Sequence, residues 1–109
     1  MAREVIWTEA AWRDLDAAAE YIARDSEHYA AAFVREVLAA AWSLDRLAER
    51  GRVVPELGDK RIRQLLVRSY RLVYLVSESS VHILGLIHGA RDFTTLWRRE
   101  GPSRIDEAG

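Results

Sequence analysis

Residues 60–92, KRIRQLLVRSYRLVYLVSESSVHILGLIHGARD, constrain the fold more than any other part of the chain. They contain three apolar segments, near Arg61–Arg68, Tyr70–Ser77 and Val81–His88, with only short polar links between them. Alternating segments rich in Val, Ile and Tyr and bounded by turn residues are typical of β-strands. Consecutive strands with such short links must pair antiparallel. The sequence therefore predicts a three-stranded antiparallel meander.

The predicted meander follows an N-terminal strand and two amphipathic helices. The strand is expected at Arg3–Trp7, and Thr8 is a good N-cap for a first helix from Glu9 to Arg24. A second helix is expected from Glu27 to Glu49, with Gly51 placed to end it. Because the break between the helices is so short, they should form an antiparallel hairpin.

The apolar residues of the second helix recur on one side. The predicted core stripe consists of Phe33, Val37, Ala40, Leu44 and Leu47. At about 100° per residue, Trp42 lies opposite this stripe, beside Arg35 and Arg46. Trp42 is interpreted either as an aromatic packed against the first helix or a loop, or as an interface anchor. The second interpretation rests on the frequent pairing of exposed Trp and Arg in binding surfaces.

The middle of the predicted sheet is apolar on both faces. In the second strand of the meander, alternation places Tyr70, Leu72, Tyr74 and Val76 on one face and Val73 and Leu75 on the other. In the third strand, it places Val81, Ile83 and Ile87 opposite Leu84 and Leu86. The helix hairpin can cover only one face. The other face needs a short C-terminal helix near Phe93–Trp97, a second subunit or a partner segment, because exposed apolar patches bind partners or cause aggregation.

These elements predict an α+β fold: an N-terminal strand, an antiparallel helix hairpin, a three-stranded antiparallel meander joining into one sheet, and a short C-terminal helix. The chain has 109 residues, 50% of them hydrophobic, which is enough for one core. Residues 1–100 are predicted to form that single domain, and residues 101–109 a polar tail.

Positive charge is concentrated in the meander although the net charge of the chain is only −1. Residues 1–50 carry six arginines and ten acidic residues, whereas residues 51–109 carry ten cations and seven acidic residues. The cations that follow one another without an acidic residue are Lys60, Arg61, Arg63, Arg68 and Arg71. Like charges crowded on a small sheet repel each other, so an acidic partner, a ligand or a nucleic acid is expected to bind them. The alternative is a solvated cationic rim.

The composition excludes several kinds of site. Without cysteine, the chain has no disulfide and no thiolate metal ligand. The three histidines, His28, His82 and His88, are scattered in sequence, so neither a metal nor a cofactor is expected. No apolar run approaches the ~20 residues of a membrane span, and the N-terminus lacks a signal-peptide core. The predicted location is the cytoplasm.

Five short motifs follow one another along the chain. They are W-T-E-A-A-x-x-D-L at Trp7–Leu15, the loop Gly51-Arg52…Pro55-Glu56, I-R-x-L at Ile62–Leu65, Y-R-L-V-Y at Tyr70–Tyr74 and H-G-A-R-D at His88–Asp92. In this order and spacing, they resemble the RelE/ParE superfamily of toxins from bacterial toxin–antitoxin systems. The resemblance implies a role in plasmid stabilization and growth inhibition, and neutralisation by a cognate antitoxin in a hetero-oligomeric complex. It also implies one of two activities: RelE-like members cut messenger RNA in the ribosomal A site, whereas ParE-like members block DNA gyrase.

RNA cleavage requires a proton acceptor, a proton donor and cations on the phosphate. For a RelE-like enzyme, the candidate catalytic residues are Arg63, Arg71, His88 and Arg91. His88 is the one candidate acid or base, and it can equally be a strand-end residue hydrogen-bonded to the following turn. The resemblance implies several basic residues, lysines among them, and a C-terminal tyrosine in RelE-like members. Here Lys60 is the only lysine and no tyrosine follows Tyr74.

The missing lysines and tyrosine, together with H-G-A-R-D, favour a ParE-like toxin that acts by binding DNA gyrase. The predicted partner-binding residues are Arg61, Arg63, Arg68, Arg71, Arg91, Trp42 and Trp97. Acidic residues of the antitoxin are expected to pair with Arg63 or Arg71. The alternatives are a ribosome-dependent mRNA endoribonuclease and an inactive, antitoxin-bound regulatory domain.

Overall fold

The computed structural model describes residues 2–89, which form a five-stranded mixed sheet with two helices packed on one face. The elements are β1 (Glu4–Trp7), α1 (Glu9–Ala23), α2 (Glu27–Trp42), β2 (Arg52–Val53), β3 (Ile62–Val67), β4 (Tyr70–Val76) and β5 (Ser80–His88). The strand order is β1-β5-β4-β3-β2, in which β1 runs parallel to β5 and the other pairs are antiparallel. The predicted α+β class and the meander are confirmed. Arg91, Trp97 and the predicted C-terminal helix lie outside the described residues.

Both helices begin where the sequence predicts, because a hydroxyl side chain caps each one. The Thr8 hydroxyl accepts a hydrogen bond from the Ala11 amide at 3.0 Å, and the Ser26 hydroxyl accepts one from the Tyr29 amide at 3.1 Å. Each bond satisfies one of the free N–H groups in a first helical turn. Within residues 2–89, neither helix has the length and apolar character needed to cross a bilayer.

The second helix ends at Trp42 and not at the predicted Glu49. Directly after it, the Ser43 hydroxyl donates to the Ala40 carbonyl at 2.6 Å, and the chain tightens into a 3₁₀ turn at Ser43–Asp45. Serine side chains compete with the helical backbone in this way. The helical spacing therefore does not apply beyond Trp42.

The early end of α2 changes which residues enter the core. Phe33 and Val37 are buried as predicted. Leu47 is 58% exposed, so its assignment to the core stripe is wrong, and Ala48 is buried in its place. Trp42 lies on the opposite side of the helix from the stripe, as predicted, and is 73% exposed.

Gly51 does not terminate α2, and that prediction is wrong because the helix has already ended. Instead, the Gly51 amide donates to the Tyr74 hydroxyl at 2.9 Å, and that hydroxyl donates to the Ala48 carbonyl at 2.9 Å. A side-chain carbon at Gly51 would overlap both the Tyr74 hydroxyl and the Gln64 carbonyl. The glycine is therefore required by close packing against Tyr74. Burial raises the pKa of the Tyr74 phenol.

The sheet separates two clusters of buried side chains. The helix-side core joins both helices to the sheet and includes Leu15, Phe33, Val37, Leu72, Tyr74, Val81, Ile83 and Leu86. The loop-side core lies on the other face and consists of Val54, Ile62, Val73, Leu75, Leu84 and Ile87, with Leu57 packed against it. The alternation predicted for β4 is confirmed by this division.

A β-bulge reverses the predicted faces of the last residues of β5. One extra residue, Leu84, is inserted opposite β4. Because a shift of one residue moves each following side chain to the other face, Leu86 lies in the helix-side core and Ile87 in the loop-side core. The Asp14 carboxylate of α1 accepts a hydrogen bond from the Leu86 amide at 3.0 Å. This contact ties α1 to the bulge.

The second face of the sheet is covered by a segment that the sequence analysis treated only as a loop. The chain after β2 places Val54 and Leu57 against the loop-side core. The six residues of that core are each at most 8% exposed. The six side chains of the loop-side core are therefore buried, whereas Leu66 on the same face of β3 is 66% exposed.

Candidate functional site

Three of the five meander cations form ion pairs within the chain, although no acidic residue separates these cations in sequence. The ion pairs are Arg61–Asp59 at 3.0 Å, Arg68–Glu36 at 2.7 Å and Arg71–Glu56 at 2.9 Å. The acidic residues come from α2 and from the loop between β2 and β3. These three arginines therefore do not need an acidic group from outside the chain.

Arg71 is the most deeply buried of these cations, at 6% exposure on the loop-side face of β4. Its guanidinium donates to both carboxylate oxygens of Glu56, at 3.1 and 2.9 Å, and to the Gln64 side-chain oxygen at 2.8 Å. A bidentate arginine–carboxylate pair is among the stronger polar contacts in proteins. The hydrogen bond from Arg71 lowers the pKa of the Glu56 carboxyl. The network holds the loop that carries Glu56 against the sheet.

Arg63 points to the other side of the sheet. It precedes Gln64 in β3, and neighbouring strand residues point to opposite faces. Its guanidinium donates to the backbone carbonyls of Lys60 at 3.0 Å, Gly51 at 2.9 Å and Glu49 at 3.4 Å. These carbonyls occupy donors that a phosphate would use. Arg63 therefore holds the segment that follows α2 against β3.

His88 lies at the exposed end of β5, on the helix side. Its ring packs on Tyr70 with 4.9 Å between centroids, and Tyr70 packs on Phe33 at 5.0 Å. His88 and Tyr70 line a cavity of about 330 Å³ next to the turn between α1 and α2, with Arg68 also in its wall. Desolvation raises the pKa of the Tyr70 phenol, so this hydroxyl stays protonated at neutral pH.

Three of the candidate catalytic residues, Arg63, Arg71 and His88, lie within residues 2–89, and they lie apart from one another. Arg71 lies on the loop-side face, whereas Arg63 and His88 lie on the helix side. Along β4, the positions paired with Arg63 and with His88 are four residues apart, which corresponds to about 13 Å. A general acid or base has to lie within hydrogen-bond reach of the proton it transfers. In this structure Arg63, Arg71 and His88 therefore do not surround one common point.

A different surface, between α1, α2 and the β1 edge of the sheet, is apolar and open. It is a groove of about 540 Å³ lined by Val5, Trp7, Trp12, Leu38, Ala39 and Trp42, which we call the tryptophan groove. Trp42 is 73% exposed, Trp12 44% and Leu38 39%. The rings of Trp7 and Trp12 stack with 4.2 Å between centroids and 15° between planes. An exposed apolar surface of this kind is typical of an interaction site.

The sequence analysis identified Trp42 but not the rest of the tryptophan groove. One signal was available, because Leu38 and Trp42 are four residues apart and therefore lie on the same side of α2. The contribution of Val5 and Trp7 had no such signal. Their position depends on the pairing of β1 with β5, which is distant in sequence.

Two sequence comparisons identify relatives of the chain. Residues 5–93 match the family model described as ParE toxin of type II toxin-antitoxin system, parDE. A curated protein, Toxin RelE2 of Caulobacter vibrioides, is 36% identical over 89 residues, which cover 81% of this chain and 97% of the relative.

Two solved structures are similar to the fold. The chromosomal ParDE toxin–antitoxin system from P. aeruginosa matches with a TM-score of 0.67 and 21% identity, over 81% of this chain and 97% of that chain. The toxin–antitoxin complex RelBE2 from Mycobacterium tuberculosis matches with a TM-score of 0.58 and 22% identity, over 81% of this chain and 99% of that chain. At these identities, the likeness concerns the fold alone.

Proposed function

The chain belongs to the ParE toxin family of type II toxin–antitoxin systems, within the RelE/ParE superfamily, and on that premise we propose that it acts by binding DNA gyrase. Inhibition of this kind needs a contact surface and no catalytic residue. The proposal includes neutralisation by a cognate antitoxin in a hetero-oligomeric complex. The two similar structures carry the names of toxin–antitoxin assemblies, which supports a partner of that class.

The observation that carries the proposal is the dispersal of the candidate nuclease residues. Arg71 is engaged by Glu56 and Gln64 on one face of the sheet. Arg63 is engaged by backbone carbonyls on the other face, and His88 lies at the far end of that face. Charge stabilisation and proton transfer at one phosphate would need these groups around a common point. A binding mechanism does not need these groups to meet at one point.

The contacts with gyrase are proposed to come from the exposed arginines of the meander. The side chains of Arg61 and Arg68 are 56% and 44% exposed, and their acidic partners are also in contact with solvent. Exposed ion pairs contribute little stability, so a carboxylate or phosphate of a partner can replace the internal acid at low cost. Arg71, whose side chain is 8% exposed, is proposed to serve the fold instead.

The alternative activity is a RelE-like, ribosome-dependent cleavage of messenger RNA. The name of the Caulobacter vibrioides relative favours it, as does the exposed His88 beside Tyr70 and a cavity. In that case His88 would transfer the proton, and Arg63, Arg71 and Arg91 would contact the phosphate. A third possibility is an inactive domain that persists only in an antitoxin-bound complex.

Brief induction of the toxin without antitoxin tests these proposals. The binding mechanism predicts accumulation of cleaved gyrase–DNA complexes and no codon-phased cuts by primer extension on messenger RNA. It further predicts that His88→Ala still arrests growth, since His88 is exposed at a strand end and its loss should leave the fold intact. Phased cuts that disappear in His88→Ala would overturn the gyrase proposal. Absence of growth arrest with a folded wild-type chain would point to the inactive domain.

A further inference from the structure

Aromatic side chains line a cavity on the helix side of the sheet. The cavity lies where the turn between α1 and α2 meets the turn between β3 and β4 and the end of β5. We call it the tyrosine cavity, and the lining residues that matter for its chemistry are Tyr21, Asp25, Tyr29, Arg68, Tyr70 and His88. Its volume of about 330 Å³ is at the lower end of the range of about 300–1,000 Å³ for small-molecule sites. The cavity therefore suits one small molecule.

The rings of the tyrosine cavity present flat apolar faces to a ligand. The Tyr70 ring is held in place by Phe33 and His88, at 5.0 and 4.9 Å between centroids. Tyr21 and Tyr29 are 63% and 58% exposed, so their rings are available for contact. Nucleobases stack on such rings whatever their identity, because every base has a π-face.

Arg68 brings positive charge to the wall of the cavity. Its guanidinium lies 2.7 Å from the Glu36 carboxylate, and the two side chains are 44% and 49% exposed. An ion pair in contact with solvent contributes little stability, so a phosphate can take the place of Glu36 at low cost. The planar guanidinium also matches the geometry of phosphate, to which it can donate two parallel hydrogen bonds.

The backbone at Arg68 indicates that this side chain has a role beyond the turn. Its φ is 55°, and within residues 2–89 no other non-glycine residue has a positive φ. A two-residue hairpin turn favours positive φ, but glycine or asparagine adopts it with less strain than arginine. Residues held in such a conformation are concentrated at functional sites. The exposed ion pair with Glu36 adds too little stability to account for an arginine here.

Asp25 brings the opposite charge to the cavity from the turn between α1 and α2. A carboxylate accepts hydrogen bonds, and the amino groups of bases and the hydroxyls of a sugar donate them. A purely apolar ligand would remove water from both Asp25 and Arg68 without replacing its hydrogen bonds. Ring faces, a phosphate-binding cation and a carboxylate together fit the base, sugar and phosphate of a nucleotide.

We propose that the tyrosine cavity binds a nucleotide, with its base stacked on Tyr21 or Tyr29 and its phosphate bound by Arg68. A free nucleoside monophosphate and one nucleotide of a single strand share this chemistry, and the test separates them. The inference goes beyond the proposed function and does not depend on gyrase. Because Arg68 is also one of the cations proposed to contact gyrase, a bound nucleotide would compete with that contact.

The test measures binding of AMP and of adenosine to the purified full chain by isothermal titration calorimetry. Adenosine should bind at least about tenfold more weakly than AMP, because it lacks the phosphate. Arg68→Asn should raise the Kd for AMP at least about tenfold and change that for adenosine less than about twofold. Asparagine suits the turn, so this variant should unfold at or above the wild-type urea midpoint. Arg61→Asn, at an exposed ion pair outside the cavity, is the matched control and should change either Kd less than about twofold.

The stacking contact is tested by replacing the two exposed tyrosines together. Tyr21→Leu combined with Tyr29→Leu should raise the Kd for AMP and for adenosine alike, by about fivefold or more, because both ligands lose a ring to stack on. Absence of AMP binding up to about 10 mM would overturn the proposal. AMP binding of wild-type strength in both Arg68→Asn and the tyrosine variant would overturn it as well.

Nuclear magnetic resonance locates the bound nucleotide without a substitution. AMP should shift the ring signals of His88, which lines the cavity, and leave those of His82 unchanged. The neighbours of His82 in β5, Val81 and Ile83, face the helix-side core, so His82 points to the other face of the sheet. Shifts at His82 with none at His88 would place the nucleotide elsewhere and overturn the proposal.

A tetranucleotide of deoxyadenosine or of adenosine distinguishes the source of the nucleotide. Tighter binding than AMP, lost in Arg68→Asn, would assign the cavity to single-stranded nucleic acid, whereas binding no tighter than AMP would assign it to a free nucleotide. Tetranucleotide binding that Arg68→Asn leaves unchanged would contradict a role of the cavity. These measurements use the isolated chain, so they decide the cavity even if the chain neither arrests growth nor binds gyrase.

Discussion

Arg71 and Trp42 belong to two regions of the molecule with opposite character. Arg71 is 6% exposed and hydrogen-bonds Glu56 and Gln64, whereas Trp42 is 73% exposed beside an open groove. Arginine and tryptophan are both residue types that often dominate interfaces. Residue type and local charge density therefore do not decide whether a side chain serves the fold or a partner. The surroundings of the side chain in the folded protein decide its role.

The two regions differ because the partners of the arginines are distant in sequence. Glu36 and Glu56 precede Arg68 and Arg71 by 32 and 15 residues, so only the folded chain brings each pair together. Within residues 2–89, no comparable element covers Trp42. Substitutions in the first region should therefore change stability, and substitutions in the second should change binding.

The largest effect on stability is expected at Gly51, which packs beneath Tyr74 in the buried region. Gly51→Val should lower the free energy of unfolding by about 3 kcal/mol or more, because the new side chain overlaps the Tyr74 hydroxyl and breaks its hydrogen bonds. Urea unfolding followed by circular dichroism measures the change. Gly58→Ala is the control: that site has a φ of +66° and open space, so only about 1 kcal/mol should be lost. Equal losses would contradict the packing role of Gly51.

Arg71 should come next. Arg71→Met is expected to lower the free energy of unfolding by about 2 kcal/mol, because the buried Gln64 side chain loses its partner and Glu56 its ion pair. Arg61→Met, at an exposed ion pair, should cost less than about 0.5 kcal/mol by the same urea assay. If Arg71→Met were fully stable yet no longer arrested growth, Arg71 would belong with the partner surface and the contrast between the regions would fail.

A smaller, pH-dependent effect is expected from Glu56. Its pKa in the folded chain lies below the ordinary value of 4.5, so the ionised carboxylate stabilises the fold above that pH. This contribution is lost as the pH falls below 4.5 through the lowered pKa. The difference in urea midpoint between the wild-type chain and Glu56→Gln should therefore shrink between about pH 7 and about pH 3. A difference that grows on acidification would mean that Arg71 does not stabilise the charged form.

The smallest effect on stability is expected in the tryptophan groove. Trp42→Ala should change the free energy of unfolding by less than about 0.5 kcal/mol, because an exposed side chain loses few contacts. Differential scanning calorimetry of Trp42→Ala and of Arg71→Met compares the two losses of stability. A loss as large as that of Arg71→Met would show that Trp42 supports the fold, and the groove would then lose its main anchor.

Features of the fold that depend on neighbouring residues could be predicted from the sequence. Thr8 and Ser26 mark the helix starts because a hydroxyl can bond to an amide three residues later. The meander followed from short links between apolar segments. The alternation of β4 followed from the strand period of two, and it held because β4 has no inserted residue.

Features that depend on contacts between distant residues could not be predicted. The bulge at Leu84 moves the following side chains of β5 to the opposite faces of the sheet. The Asp14 carboxylate of α1 accepts a hydrogen bond from the backbone amide of Leu86 next to this bulge. The internal partners of Arg68 and Arg71 could not be predicted for the same reason, since the acids that engage them lie far away in sequence. The end of α2 is an exception, because the Ser43 hydroxyl that competes with the helical backbone bonds to Ala40, only three residues earlier.

The pairing of β1 with β5 makes the first described strand depend on the last. A ribosome releases the N-terminus first, so β1 has no neighbour in the sheet until Ser80–His88 has left the exit tunnel. Val5 and Trp7 take their places in the groove only at that moment. The tryptophan groove of an emerging chain therefore stays incomplete until the last described strand has joined the sheet.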